Sequence, residues 1–152
     1  MLKFQGKTAL ITGSGTGIGK AIATKFVDKG ASVIILGRRK EPLEDAAKGL
    51  QEIISKNNSG ASVRIFAGVD VADETAMTEM FEVLKNENVN VDYIINNAGV
   101  SGPVTCFANA PLDEFKSTIG IHLTGTFWGS VQALKVMKEG GKIITISTFF
   151  TE

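Results

Sequence analysis

The chain has 152 residues, 43% of them hydrophobic, enough for one domain with a sizeable core. Sixteen lysines and arginines balance sixteen aspartates and glutamates, so no basic surface invites nucleic acid and no polybasic tail invites a membrane. No apolar run is long enough to span a bilayer, the amino terminus runs straight into a strand pattern rather than a signal peptide, and the single Cys106 permits no internal disulfide. A cytoplasmic protein is expected, with Cys106 a buried or half-buried bystander.

The first predicted strand, Thr8–Thr12, leads into the run Thr12-Gly13-Ser14-Gly15-Thr16-Gly17-Ile18-Gly19. A predicted helix, Gly17–Lys29, follows, with Ile18, Ile22 and Phe26 recurring every fourth residue. Strand, glycine-rich turn and helix form the context of a nucleotide site. Glycines let the backbone approach a pyrophosphate, and free N–H groups at a helix start face its negative charge.

The second strand, Ser32–Leu36, ends in Gly37-Arg38-Arg39. A dinucleotide fold that takes NAD places an acidic side chain there, on the ribose 2′-hydroxyl. A guanidinium pairs instead with a 2′-phosphate, so NADP is expected ahead of NAD. The next helix, Pro42–Lys56, has Leu43, Ala46, Ala47, Leu50, Ile53 and Ile54 on one face and Pro42 in its first turn. Asn57–Gly60 reads as a turn. The third strand, Val63–Ala67, carries Arg64 at its middle, which suits a sheet edge.

Asp70-Val71 follow that strand, and a carboxylate there can accept from an adenine amino group. The third helix, Asp73–Asn86, has Asp73 as its cap and Met77, Met80, Phe81 and Leu84 on its apolar face. The fourth strand, Val91–Ile95, opens into Asn96-Asn97-Ala98-Gly99. Ligands of open α/β sheets bind at such carboxyl ends. A long helix near Leu112–Lys138 is expected to bury Phe115, Ile119, Leu123, Phe127, Val131 and Leu134. The fifth strand is placed at Lys142–Ser147. Strands alternating with helices predict βαβ units and a mostly parallel sheet.

These motifs, with Leu123–Phe127 (LTGTF) and Gly140–Thr148 (GGKIITIST), resemble the short-chain dehydrogenase/reductase family over essentially the whole chain. The resemblance implies an α/β fold: a Rossmann-type, doubly wound parallel sheet with strand order 3-2-1-4-5. Residues 1–152 then form a dinucleotide-binding domain cut off after its fifth strand. It also implies hydride transfer between NADP(H) and a carbonyl, alcohol or activated alkene of a small-molecule substrate. The complete protein is expected to be a homo-oligomer, and no metal is expected.

By the same resemblance, Gly13, Thr16, Gly17, Ile18 and Gly19 line the pyrophosphate, and Arg38, supported by Arg39, meets the 2′-phosphate. Asp70 and Val71 border adenine. Asn97, Ala98 and Gly99 lie along the nicotinamide ribose. The family's Tyr-x-x-x-Lys pair is absent: the one tyrosine is Tyr93, read as core, and the fourth residue after it is Asn97. This chain alone is therefore expected to be inactive. Thr148, with Ser147 before it, matches the family's substrate-polarising serine. His122 stands where an asparagine usually bends the long helix and helps hold a relay water.

Similarity to the 2,4-dienoyl-coenzyme A reductases and the 3-oxoacyl-thioester reductases of the family implies an acyl thioester substrate. The alternative is a complete, non-catalytic nucleotide-binding or interaction module that lacks the Tyr/Lys pair.

Overall fold

The computed structural model describes residues 2–147. In chain order these form β1 (Thr8–Thr12), α1 (Gly17–Asp28), β2 (Ser32–Gly37), α2 (Lys40–Asn57), β3 (Val63–Ala67), α3 (Glu74–Asn86) and β4 (Val91–Asn96). A 3-10 turn, Phe107–Asn109, precedes α4 (Leu112–Ile119), a π turn (Gly120–Thr124), α5 (Gly125–Ala133) and β5 (Met137–Thr145). The strands make one parallel sheet in the order β3-β2-β1-β4-β5. This is the expected Rossmann-type order.

Alternation of side chains along the central strands divides the core in two. Ala9, Ile11, Val33, Ile35 and Ile95 pack with Ala23, Val27, Leu43 and Leu50 from α1 and α2. Leu10, Ile34, Leu36 and Ile94 pack with Met77, Phe81, Leu84 and Ala133 from α3 and α5. β1 and β2 are covered on both faces, which is why their sequences are continuous apolar runs. Asp73 caps α3 by accepting from the backbone N–H groups of Thr75 and Ala76, at 2.9 and 3.0 Å.

β3 forms one edge, as Arg64 suggests. The Arg64 guanidinium pairs with the Glu87 carboxylate through two nitrogens, Nη2 lying 3.0 Å from Oε1. It also covers the Phe66 ring at 4.8 Å. At the amino ends of the strands, the buried Asp92 carboxylate accepts from Lys7 Nζ at 2.8 Å and from the Thr8 N–H at 2.9 Å. Phe4, Phe26 and Tyr93 stack beside them with centroids 5.2 to 5.6 Å apart. Tyr93 is half-buried in that cluster rather than fully enclosed.

Four expectations need correction. The long helix does not run to Lys138: α5 ends at Ala133, and Lys138 belongs to β5. Its large apolar residues do not face the core either. Phe115, Ile119, Leu123, Phe127 and Leu134 are exposed, and Val131 is half-buried. The packed face of α5 is Gly125, Gly129, Gln132 and Ala133. A Cβ on Gly125 would lie 2.8 Å from the Val71 carbonyl oxygen, and one on Gly129 would lie 3.3 Å from Met77 Cε. So close an approach admits only small residues, and the bulky side is turned outward.

β5 begins earlier and ends earlier than Lys142–Ser147. Met137 pairs with Val91, and then a bulge intervenes, so that Lys142 pairs with Tyr93. Gly140, at φ +79°, lies in that excursion. The regular ladder does start at Lys142, but it stops at Thr145, leaving Ser147 beyond the strand. Finally, Cys106 is exposed, because it sits in the irregular stretch between β4 and α4, which makes little contact with the core.

Candidate functional site

β1 has β2 on one side and β4 on the other, so successive crossovers leave in opposite directions and open a crevice at the carboxyl ends of β1 and β4. A cleft of about 490 Å³ fills that crevice. Gly13, Thr16, Gly17, Ile18, Gly19, Arg38, Arg39, Asp70, Val71, Asn97, Ala98 and Gly99 all line it, alongside Gly15, Gly37, Pro42, Leu43, Val69, Val100 and Ile121. Every cofactor-site candidate therefore converges on one wall system.

The loop glycines divide by task. Gly13 has φ +63°, and a Cβ on it would meet Ala98 Cα at 2.9 Å. A Cβ on Gly19 would fall 2.5 Å from Asn97 Nδ2 and 2.6 Å from the Gly13 carbonyl oxygen. Both glycines let the β1 loop press against the β4 loop. Gly17 differs: its φ is +55°, and a Cβ there would meet nothing within 4 Å. It adjoins the open space of the cleft. Directly after it, α1 starts with no side-chain cap on Thr16, so its first N–H groups remain available to an anion.

Two hydroxyls that the sequence reading passed over hold this loop in place. Thr12 Oγ1 accepts from the N–H groups of Asn97 and Ala98, both at 2.9 Å. Ser14 Oγ donates to the Ile11 carbonyl at 2.7 Å and accepts from the Leu36 N–H at 3.1 Å. Thr12 and Ser14 are 2% and 0% exposed. Their signal in the sequence is a hydroxyl residue at a strand end inside a glycine run.

Asn97 has a structural partner set as well. Its Nδ2 donates to the carbonyls of Thr12 and Gly13, at 2.8 and 3.3 Å. Asn96 turns the other way, donating from Nδ2 to Ser130 Oγ of α5 at 2.9 Å. The two amides thus tie the β4 loop to β1 and to α5.

At the far mouth, Arg38 is 63% exposed and lies 3.7 Å from Asp70 Oδ2. Asp70 Oδ1 accepts from the Ala72 N–H at 3.0 Å. The opposite mouth is bounded by Gly99 and Val100, which the His122 ring of the π turn touches. His122 itself does not line the cleft, nor does the exposed Ser147. Thr148 lies outside the described residues. Among the described residues, no group of three or more His, Cys, Asp or Glu side chains could hold a metal, and no helix is long and apolar enough to cross a membrane.

The doubly wound sheet with its crevice at the β1/β4 switch defines a Rossmann-type α/β protein. Residues 7–151 match the family described as short chain dehydrogenase, and the chain belongs to that family. It is 32% identical over 149 residues to an NADP-dependent (R)-specific alcohol dehydrogenase of Lentilactobacillus kefiri, a match covering 96% of this chain and 56% of that one. It is 31% identical over 147 residues to a 3alpha-hydroxysteroid dehydrogenase of Mediterraneibacter gnavus, covering 97% and 56%.

Among solved structures, a short-chain type dehydrogenase/reductase from Mycobacterium marinum superposes with a TM-score of 0.82 at 30% identity, covering 93% of this chain and 56% of that one. An NAD+-bound xylitol dehydrogenase gives a TM-score of 0.82 at 27% identity, covering 94% and 53%. The chain spans about half the length of the curated relatives it matches.

Proposed function

We propose that this chain forms the cofactor-holding part of an NADP(H)-dependent oxidoreductase that interconverts an alcohol and a carbonyl compound. One observation carries the reading. A cleft whose floor is an uncapped helix start and an open glycine position ends at two arginines, Arg38 and Arg39. The pyrophosphate fits the N–H groups of Gly17, Ile18 and Gly19. Arg38 supplies a forked donor for a 2′-phosphate, where a carboxylate would repel it. Asp70 and Val71 border the adenine, and Ala98 and Gly99 border the nicotinamide ribose. NADPH, when bound, supplies the hydride; these residues hold and orient it.

The named relatives support both cofactor options, since one is NADP-dependent and one solved structure holds NAD. The arginines favour NADP. Replacing Arg38 with Asp is expected to weaken NADPH binding at least tenfold while NADH binding stays within about threefold, as loss of one charge-assisted contact predicts. Equal losses, read by fluorescence titration, overturn the NADP assignment.

The proton donor lies outside this chain on this reading, because Tyr93 packs against Phe4 and Phe26 instead of facing the cleft. Residues 1–152 alone are expected to give no steady turnover. Ser147 and Thr148 are assigned to the substrate oxygen. Comparing a 3-oxoacyl thioester, a 2,4-dienoyl thioester and a plain ketone in the protein at its native length tests the acyl thioester expectation. The outward stripe Phe115, Ile119, Leu123 and Phe127 is assigned to contact with a second copy of the protein. Phe127→Asp should then lower the oligomeric mass in solution, and an unchanged mass removes that assignment. A cytoplasmic location rests on composition and the lone cysteine.

A further inference from the structure

Ser14 does not line the cleft, yet it joins two parts that do. It stands two residues past the end of β1 and is fully buried. Its Oγ donates to the Ile11 carbonyl at 2.7 Å and accepts from the Leu36 N–H at 3.1 Å. Its own N–H donates to the Leu36 carbonyl at 3.3 Å. One residue of the glycine loop thus holds both main-chain polar groups of Leu36.

Leu36 runs directly into Gly37, Arg38 and Arg39. The neighbouring glycines make the same join. A Cβ on Gly15 would meet Pro42 Cβ at 3.1 Å and the Leu43 nitrogen at 3.2 Å, and one on Gly37 would lie 4.0 Å from Gly13 Cα. Residues 13–15 therefore rest on the junction of β2 and α2, and the uncapped start of α1 follows at Thr16. The Thr12 hydroxyl serves the opposite side, where it holds Asn97 and Ala98. Ser14 is the side chain that couples the loop to the arginines.

The cleft offers an anion two separate places: the N–H groups at the start of α1 and the Arg38 guanidinium. A ligand with an anion at each end gains from both only if their spacing is held to its own length. A ligand with one anion does not sense that spacing.

We infer that Ser14 is a positioning residue that sets the spacing between the start of α1 and Arg38, and so governs how strongly the cleft prefers a dinucleotide carrying a 2′-phosphate over one without it. The ligand half of this inference rests on the NADP(H) reading; the clamp half does not. Ser14 faces no ligand space, so it acts through Leu36.

Two measurements on the protein at its native length test this. Hydrogen–deuterium exchange reads the clamp with no ligand present. Ser14→Ala is expected to speed exchange across residues 36–39 about tenfold, as loss of one buried hydrogen bond predicts. Titrations read the spacing. Ser14→Ala is expected to weaken adenosine 2′,5′-bisphosphate about tenfold, while adenosine 5′-monophosphate and adenosine 2′-monophosphate stay within about twofold. NADPH should follow the bisphosphate, and NADH the monophosphates. A residue that only stabilised the fold would lower the melting temperature and leave these ratios unmoved.

If Ser14→Ala does not fold, Gly15→Ala presses a methyl group on Pro42 and should give the same pattern. Unchanged exchange, or equal losses for ligands with one and two anchoring phosphates, overturns the inference. If the unmodified protein binds none of these nucleotides, the dinucleotide reading fails and the ligand half falls with it, while exchange still decides the clamp.

Discussion

The two ends of this sheet treat their polar groups in opposite ways. At the amino ends, polar groups are closed on one another. The Asp92 carboxylate, 5% exposed, is held between Lys7 Nζ and the Thr8 N–H, and three aromatic rings pack beside it. At the carboxyl ends, groups are left open. α1 begins uncapped, Gly17 adjoins empty space, and Arg38 reaches only the partly exposed Asp70. In a parallel sheet the strand carboxyl ends and helix amino ends share one rim, so the open donors collect there. Satisfied groups stabilise the fold; unsatisfied ones await a ligand.

Substitutions at the two ends should therefore separate binding from stability. The largest effect is expected from Gly17→Val, which fills the empty space. NADPH affinity should fall at least about 100-fold, with a stability loss of about 1–2 kcal/mol from the left-handed backbone. A variant that binds normally, or one that unfolds before binding is lost, would break the comparison. Calorimetric titration beside thermal unfolding reads both quantities.

Asp92→Ala should do the reverse, lowering stability by about 2 kcal/mol by stranding the Thr8 N–H and Lys7, with NADPH affinity unchanged. Burial pushes the Asp92 carboxyl up, but the Lys7 hydrogen bond and the Thr8 amide outweigh it and hold it below the usual carboxylate range. A lowered native value means that its stabilisation is present at neutral pH. That stabilisation is lost as pH falls from about 4 through the native value. Urea unfolding across that window should show a shallower acid-side decline in the alanine variant. An identical decline would show that the Lys7–Asp92 contact adds nothing.

The smallest effect is expected from Asp70→Asn. Its ion pair with Arg38 is solvent-exposed and 3.7 Å long, worth within about 0.5 kcal/mol. NADPH affinity should move by less than about threefold. A larger rise in affinity would mean that Asp70 restrains Arg38 in the free protein.

The legible parts of the sequence were those where size and polarity agree. In α3, Met77, Met80, Phe81 and Leu84 are both the apolar stripe and the buried face. The outward stripe of α4 and α5 is not legible, because periodicity finds the bulky apolar side of a helix without saying which side meets the sheet. Where Gly125 and Gly129 bring the backbone close to Val71 and Met77, the small residues win. α1 repeats the pattern more mildly, burying Gly19, Ala23 and Val27 while Ile18 stays exposed.

The residues that line the cleft are legible because glycines, arginines and loop amides stand beside strand ends. The clamps made by Thr12 and Ser14 are not, since a threonine or serine carries no mark of how many N–H groups it will accept from. The start of the fifth strand is hidden because its first pairing is separated from its ladder by a bulge, which no alternation pattern reveals.

The π turn at Gly120–Thr124 also sets an angle. An α-helix advances about 100° per residue, and a π turn holds one residue more than the regular spiral. Rewinding that segment as a regular α-helix, with all its residues kept, would swing everything after it about 100° around the axis. Gly125 and Gly129 would leave Val71 and Met77, and Ser130 would turn away from Asn96. The helix thus works as a phased shaft, in which the extra residue aligns one half to the loop after β4 and the other to the sheet.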